Sequence, residues 1–361
     1  MLIGVWPITA MFFDGRGHNN ETGQESFFSV AHLFLYAGLT VLGVWIGLLV
    51  VRYQGFELRR TLLPDLRLIP VGYGVAIIGL LVLGIGGPSD LIWHSAYGFE
   101  VGVEAIYSPP HLALFFGGLL VSSTGIRSMW AKRDLQLGFV RFLPVLLSSV
   151  LFIGVAGFIT MYLSAFMTNV AMTSDFWNDL QRFEDDFHDQ STSLVAGLKG
   201  YGDDRWPFYY YSAGHGVATM IVTTLVLLGP VLLLLRRWRL PLGAITLTFL
   251  GFGLLVNVMT EYRDAVLIVP LLVTGALIDW VQLRFGSARY AGRLSLGGVR
   301  AVGPAAALVL WCSYFLVVAL DKGIGWPPSM WVGALVVGVM TGFGVAFLVA
   351  PPAYGPRLAE E

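Results

Sequence analysis

Charge is what this chain has least of. Only 12% of its 361 residues are Asp, Glu, Lys or Arg, about half the roughly 25% of an ordinary soluble domain. The few charges nearly cancel, to a net of −1. That excludes nucleic acid as a bulk electrostatic partner, since binding it requires a basic patch or stripe. Cysteine is almost missing: Cys312 stands alone, so neither an internal disulfide framework nor a cysteine-based zinc or iron–sulfur site is open to this chain. There is no Walker lysine motif, no dinucleotide fingerprint and no HExxH. Glycine-rich stretches such as Gly84-Ile85-Gly86-Gly87 lie at the ends of apolar runs. They read as helix terminators and close packing points, not phosphate loops.

Apolar residues are present in excess: 56% of the chain is hydrophobic and the mean hydropathy is +0.73. A bilayer is crossed by about 20 consecutive apolar residues in a helix. Such runs lie near 29–51, 69–88, 110–127, 142–166, 209–235, 241–259, 265–283, 302–320 and 330–350. The expected fold is therefore an all-α, polytopic membrane bundle of about nine spans, forming a single integral membrane domain over 1–361. Met1 to Phe13 is apolar but too short to cross. It reads as a half-buried segment or the remnant of a truncated span, and it lacks the basic region and cleavage site of a signal peptide.

Positive charge sets the orientation. With the N-terminus outside, only Arg16, Arg182, Lys199, Arg205, Arg263 and Lys322 fall on the outer face. The other sixteen of the 22 Lys and Arg fall inside, and seventeen of the 23 acids fall outside. The C-terminus is then inside. The expected location is a prokaryotic plasma membrane, with the lipid bilayer as one partner.

All six histidines fall into one pattern. The first module has Asp14 and His18, then Glu25 and Ser29-Val30-Ala31-His32. The second has Asp90 and His94, then Glu104 and Ser108-Pro109-Pro110-His111. The third has Glu184 and His188, then Ser212-Ala213-Gly214-His215. Each is an acid, three residues, a histidine, an insert, then Ser-x-x-His at the outer start of a span. Modules one and two also share Glu seven residues before the second histidine and His-Leu-x-Leu-aromatic-x-Gly after it; the third lacks both. The modules occupy about 1–60, 70–135 and 142–236, with further spans over 241–350.

Acid-x3-His sets a carboxylate and an imidazole one turn apart on a helix face, and a histidine at the mouth of the next span adds a third ligand. Imidazole suits copper, zinc, iron and nickel. The serine three residues before the second histidine sits where an N-cap would, and Pro109 fits the first helical position. The candidate ligands are Asp14, His18, His32, Asp90, His94, His111, Glu184, His188 and His215, with Glu25, Glu100 and Glu104 secondary. A lone interfacial histidine is more often a hydrogen-bonded surface group. Costly ionisable groups gathered at membrane depth favour function.

The second module resembles the C-type subunit of the particulate methane and ammonia monooxygenases, the copper membrane monooxygenases. That family has Asp-x-x-Trp-His before a Ser/Thr-Pro-Ser-His that opens a membrane helix. It also has an acid seven positions before the last histidine, which Glu104 matches. In the family this Asp and these two His bind copper, so the resemblance implies Asp90, His94 and His111 as copper ligands. A second family unit, Asn-x3-His with a histidine some thirteen residues on, has the spacing of His18 to His32, with Asp14 replacing Asn. The likeness covers about 80–125, and 14–38 by spacing. It departs in a four-residue longer insert before His111, in the nine spans and three modules, and beyond about residue 220.

Two functions follow as expectations. One is a copper-dependent membrane oxidoreductase, monooxygenase-like and acting on a small molecule, with partner membrane subunits or a homo-oligomer. The other is a non-catalytic metal scaffold or metal-handling membrane protein, with zinc or iron in place of copper. Bis-histidine haem fits less well, because haem ligands sit well within spans and face each other. Elsewhere, Glu261, Arg263 and Asp264 read as a solvated turn with an internal ion pair, or as partners orienting an imidazole. Asn257 reads as a helix–helix hydrogen bond, Asp279 as a carboxylate neutralised by Arg284 or a transport residue, and Trp93, Trp206, Trp326 and Trp331 as an outer aromatic belt.

Overall fold

A computed structural model describes residues 1–20, 27–53, 69–98, 103–132, 136, 138–168 and 206–352. Among them the fold is all-α, with no strand beyond an isolated bridge between Gln136 and Arg239. The helices are α1 (Leu2–Asn20), α2 (Val30–Tyr53), α3 (Gly74–Tyr97), α4 (Val103–Tyr107), α5 (Pro109–Ser122), α6 (Thr124–Trp130) and α7 (Phe139–Ile159). After the undescribed stretch come α8 (Trp206–Arg237), α9 (Ala244–Met259), α10 (Ile268–Phe285), α11 (Leu296–Asp321) and α12 (Pro328–Val349).

Eight of these are long and apolar enough to cross a bilayer: α2, α3, α5 running on into α6, α7, α8, α10, α11 and α12. The expected span at 241–259 forms the shorter α9, of 16 residues. Pro241 and the left-handed Gly243 (φ 84°) delay its start, and the turn after Met259, with Glu261 and Tyr262 at positive φ, ends it. At about 1.5 Å per residue α9 is some 24 Å long, short of the roughly 30 Å hydrocarbon core. The N-terminal segment runs further than its apolar stretch: α1 continues to Asn20 and packs inside the bundle, with Ala10 and Phe12 fully buried.

Two apolar cores share α7. The larger lies among α7–α12 around Phe249, Trp238 and Trp311; the smaller joins α1, α5 and α7 through Phe12, Phe115 and Phe158. The basic loops meet at one end. Arg237 donates to the Trp130 (2.9 Å) and Lys132 (2.6 Å) carbonyls, and Arg293 donates to that of Arg236 (3.2 Å). At the opposite end Arg16 pairs with Glu261 at 3.2 Å, and Lys322 pairs with Asp264.

Several side chains serve local structure where the sequence offered other readings. Asp279 does not meet Arg284. It accepts from the Ile245 (3.1 Å) and Thr246 (3.0 Å) amides and the Thr246 hydroxyl (2.7 Å), which caps the orphan donors at the start of α9. Asn257 donates within its own helix, to Gly253 O at 2.8 Å. Glu261 pairs with Arg16 of α1 and Asp264 with Lys322 after α11, each across to another segment. Trp326 is 3% exposed and packs on Phe315, so it lies in the core and not in an interfacial belt.

Candidate metal centre

Two helix pairs carry the site, each held by a glycine of the shared His-Leu-x-Leu-aromatic-x-Gly sequence. On α2, a Cβ at Gly38 would stand 3.2 Å from Pro7 Cα, so its absence lets α1 lie close and present Asp14. On α5, a Cβ at Gly117 would stand 2.9 Å from Gly79 O, so its absence brings α3 and Asp90 against α5. Small residues at such crossings are the usual means of close helix approach in membranes.

The serines then fix the histidines. Ser29 caps α2 by accepting the His32 amide at 3.2 Å, and its hydroxyl lies 3.0 Å from His32 Nδ1. Ser108 occupies the N-cap of α5, with Pro109 following at the first helical position. Its hydroxyl turns to the His111 ring (2.9 Å from Nδ1) instead of the backbone. On α3, Gly98 (φ 84°) ends the helix and gives its carbonyl to His94 Nδ1 at 3.1 Å.

These placements bring modules one and two into one buried cluster. Asp90 Oδ1 lies 3.3 Å from His94 Nε2 and 3.2 Å from His111 Nε2, and Asp14 Oδ1 lies 3.2 Å from His32 Nδ1. The His32 and His94 rings are 6.3 Å apart, those of His94 and His111 5.6 Å. His32, Asp90 and His94 form a group that could hold a metal ion: all three are buried, and their ligand atoms lie within 4.8 Å of one another. Two ligands on opposite sides of a first-row ion stand about 4 Å apart. His111 Nε2 faces the same Asp90 oxygen.

The proton positions follow from the partners. A carbonyl can only accept, so His94 Nδ1 must donate to Gly98 O and His111 Nδ1 to Ala105 O. At His32, Asp14 Oδ1 and the Ser29 hydroxyl both lie against Nδ1, at 3.2 and 3.0 Å. In a neutral imidazole the second nitrogen is then a bare lone pair. Two such nitrogens, from His94 and His111, face Asp90 Oδ1, which receives no hydrogen bond of regular geometry. Protonated, these nitrogens pair with the Asp90 carboxylate; bare, they offer it partners for holding a cation. Carbonyl and carboxylate partners on the distal nitrogen are also what orients metal-ligating histidines.

Sequence reading missed two members of the cluster. Tyr36 donates to Asp90 Oδ2 at 2.7 Å, which leaves Oδ1 for the imidazoles. Phe27 covers the cluster, its ring 5.2 Å from His32 and 6.2 Å from His94. The signal for Tyr36 was in the shared motif, whose aromatic falls four residues after the histidine. Tyr36 lies near-parallel to His32 (16°), and Phe115 likewise to His111 (24°).

His18 lies on α1, with its side chain outside the described residues. Glu25, Glu100, Glu184 and His188 also lie outside them. Glu104 is exposed on α4, and His215 is half-buried on α8, outside the trio. Compared with protein-family models, curated proteins and solved structures, the chain gives no match.

Proposed function

We propose that this chain is a membrane metalloprotein that holds copper in a site pooled from its first two histidine modules, at the extracytoplasmic end of the bundle. The observation that carries this reading is the buried group of His32, Asp90 and His94, whose ligand atoms lie within 4.8 Å of one another, with His111 Nε2 on the same Asp90 oxygen. The donor set is nitrogen and oxygen without thiolate, which suits copper or zinc, and copper binds such sites more tightly. The resemblance of module two to the C-type subunit of the copper membrane monooxygenases supports copper as well, and a role in oxidising a small molecule alongside partner subunits. The positive charge gathered at the opposite end supports the sidedness.

Copper so held supplies one-electron redox chemistry toward dioxygen or a small oxidisable molecule. The chain's own residues do the rest. Asp14, Ser29, Ser108 and the Gly98 and Ala105 carbonyls orient the imidazoles. Tyr36 holds Asp90, and Phe27 with the surrounding apolar wall keeps water away.

Elemental analysis of the purified chain, joined to spectroscopy under reductant and air, tests the proposal. The expected result is one to three copper ions per chain, with a signal that changes on reduction. Redox-silent zinc would replace the oxidase reading with a metal scaffold, and absence of any transition metal would end both.

A further inference from the structure

We infer that the cluster is the polar end of a tunnel for one long, uncharged straight-chain molecule with a terminal hydroxyl, such as a fatty alcohol. This deepens the reading above and rests on it for the identity of the reacting end. A cavity partly open to the surroundings begins at Asp14, His32, Tyr36, Asp90 and His111. Its other walls are apolar. A second cavity lies along α1 and α2 and reaches Met1 and Leu49. Pro7, Ile8, Leu39, Leu83 and Gly118 line both, so the two adjoin.

The dimensions select the occupant. From His32 to Leu49 along α2 is 17 residues, or roughly 25 Å at 1.5 Å per residue, most of the roughly 30 Å hydrocarbon thickness. A compact substrate needs only the upper chamber; an extended chain fills both. Trp45, 44% exposed, lines the lower chamber and brings its wall to the lipid-facing surface, which gives a lateral way in from the bilayer. In the lower chamber Ser122 and Thr124 spend their hydroxyls on backbone carbonyls of their own chain segment, while Tyr73 and the Met1 amino terminus stand at its far end.

Charge selects the head. Asp14 and Asp90 line this end, and no described Lys or Arg lines the cavity to attract an anionic head such as a carboxylate. A hydroxyl finds acceptors in the same two side chains. Gly118 is the waist of the passage. A Cβ there meets only Val155, at an ordinary 3.6 Å, so a longer side chain at this position is accommodated at its root and extends into the passage.

The test uses the purified full chain in lipid nanodiscs and two 1-hexadecanol analogues, with a photoreactive diazirine near the hydroxyl or near the methyl end. After irradiation, labelled residues are mapped by mass spectrometry. The expected result is head-end labelling at Met11 and Leu35 and tail-end labelling at Leu42 and Ile46. Excess unlabelled 1-hexadecanol should suppress both at least fivefold while leaving exposed Leu48 unaffected. Gly118→Met should abolish labelling on one side of the waist; the competition result stands even if that variant does not fold. Labelling confined to exposed positions such as Leu48 and Leu81, without competition, overturns the tunnel. So does upper-chamber labelling by a four-carbon probe alone, which assigns a small occupant. A chain that binds no metal yet labels as expected refutes the metal reading only, and one that binds metal yet labels only at its surface refutes the tunnel only.

Discussion

Replacing His32 with Asn deletes the imidazole Nε2 while keeping an amide group near the Nδ1 position, where it can still donate to Asp14 and Ser29. The choice matters because His32→Ala would strand a buried carboxylate, and breaking a buried ionic pair costs about 3–5 kcal/mol by itself. His32→Asn therefore separates loss of a ligand from loss of fold. Apparent binding free energies of about 10–16 kcal/mol for four-ligand structural zinc divide to roughly 2.5–4 kcal/mol per ligand. At about 1.4 kcal/mol per tenfold, that is two to three decades of affinity. The assay is competition of the purified protein against a chelator of known copper affinity, beside His94→Ala and the double variant. Because the two imidazoles share one site with Asp90, the double variant should lose clearly less than the sum of the single losses in log affinity. Wild-type affinity in His32→Asn, or strict additivity, would refute the pooling of modules one and two.

Other perturbations separate the site from its supports. Tyr36→Phe leaves Asp90 Oδ2 buried without its donor, which should destabilise the metal-free protein by about 1–3 kcal/mol, read from the midpoint of SDS unfolding. Gly117→Ala drives a methyl into the Gly79 carbonyl and should cost about 1–3 kcal/mol. It also parts Asp90 from His111, so chelator competition should register weaker metal binding. Asp279→Ala removes the cap of α9 and should cost about 1–2 kcal/mol with metal affinity unchanged; a change in metal content would mean that Asp279 does more than cap.

The spans were legible because bilayer solvation writes them into hydropathy. Their ends were not, where turn chemistry decides: Gly243 and the Glu261–Tyr262 turn shorten α9 in a way no apolar count registers. The ligand types were legible from the recurring acid, serine and histidine. Their meeting was not: Asp14 reaches His32 through the packing of α1 on α2, Asp90 reaches His111 through that of α3 on α5, and the two pairs join where Tyr36 of α2 meets Asp90 and Gly87 of α3. Likewise Asp279, read by its charge as a partner of Arg284, proved to be placed by the amides of α9. The hydroxyl of Tyr36 stood in the motif as an aromatic, and only its approach to Asp90 across the helix interface gives it a role.

The most direct measurement is anomalous scattering from crystals of the purified chain at the absorption edge of the metal found in it. The expected result is a peak bounded by His32 Nε2, His94 Nε2 and Asp90 Oδ1, with Tyr36 still on the far oxygen of Asp90. A peak at any other place, or none around Asp90 in protein that carries metal, would contradict a metal centre pooled from the first two modules.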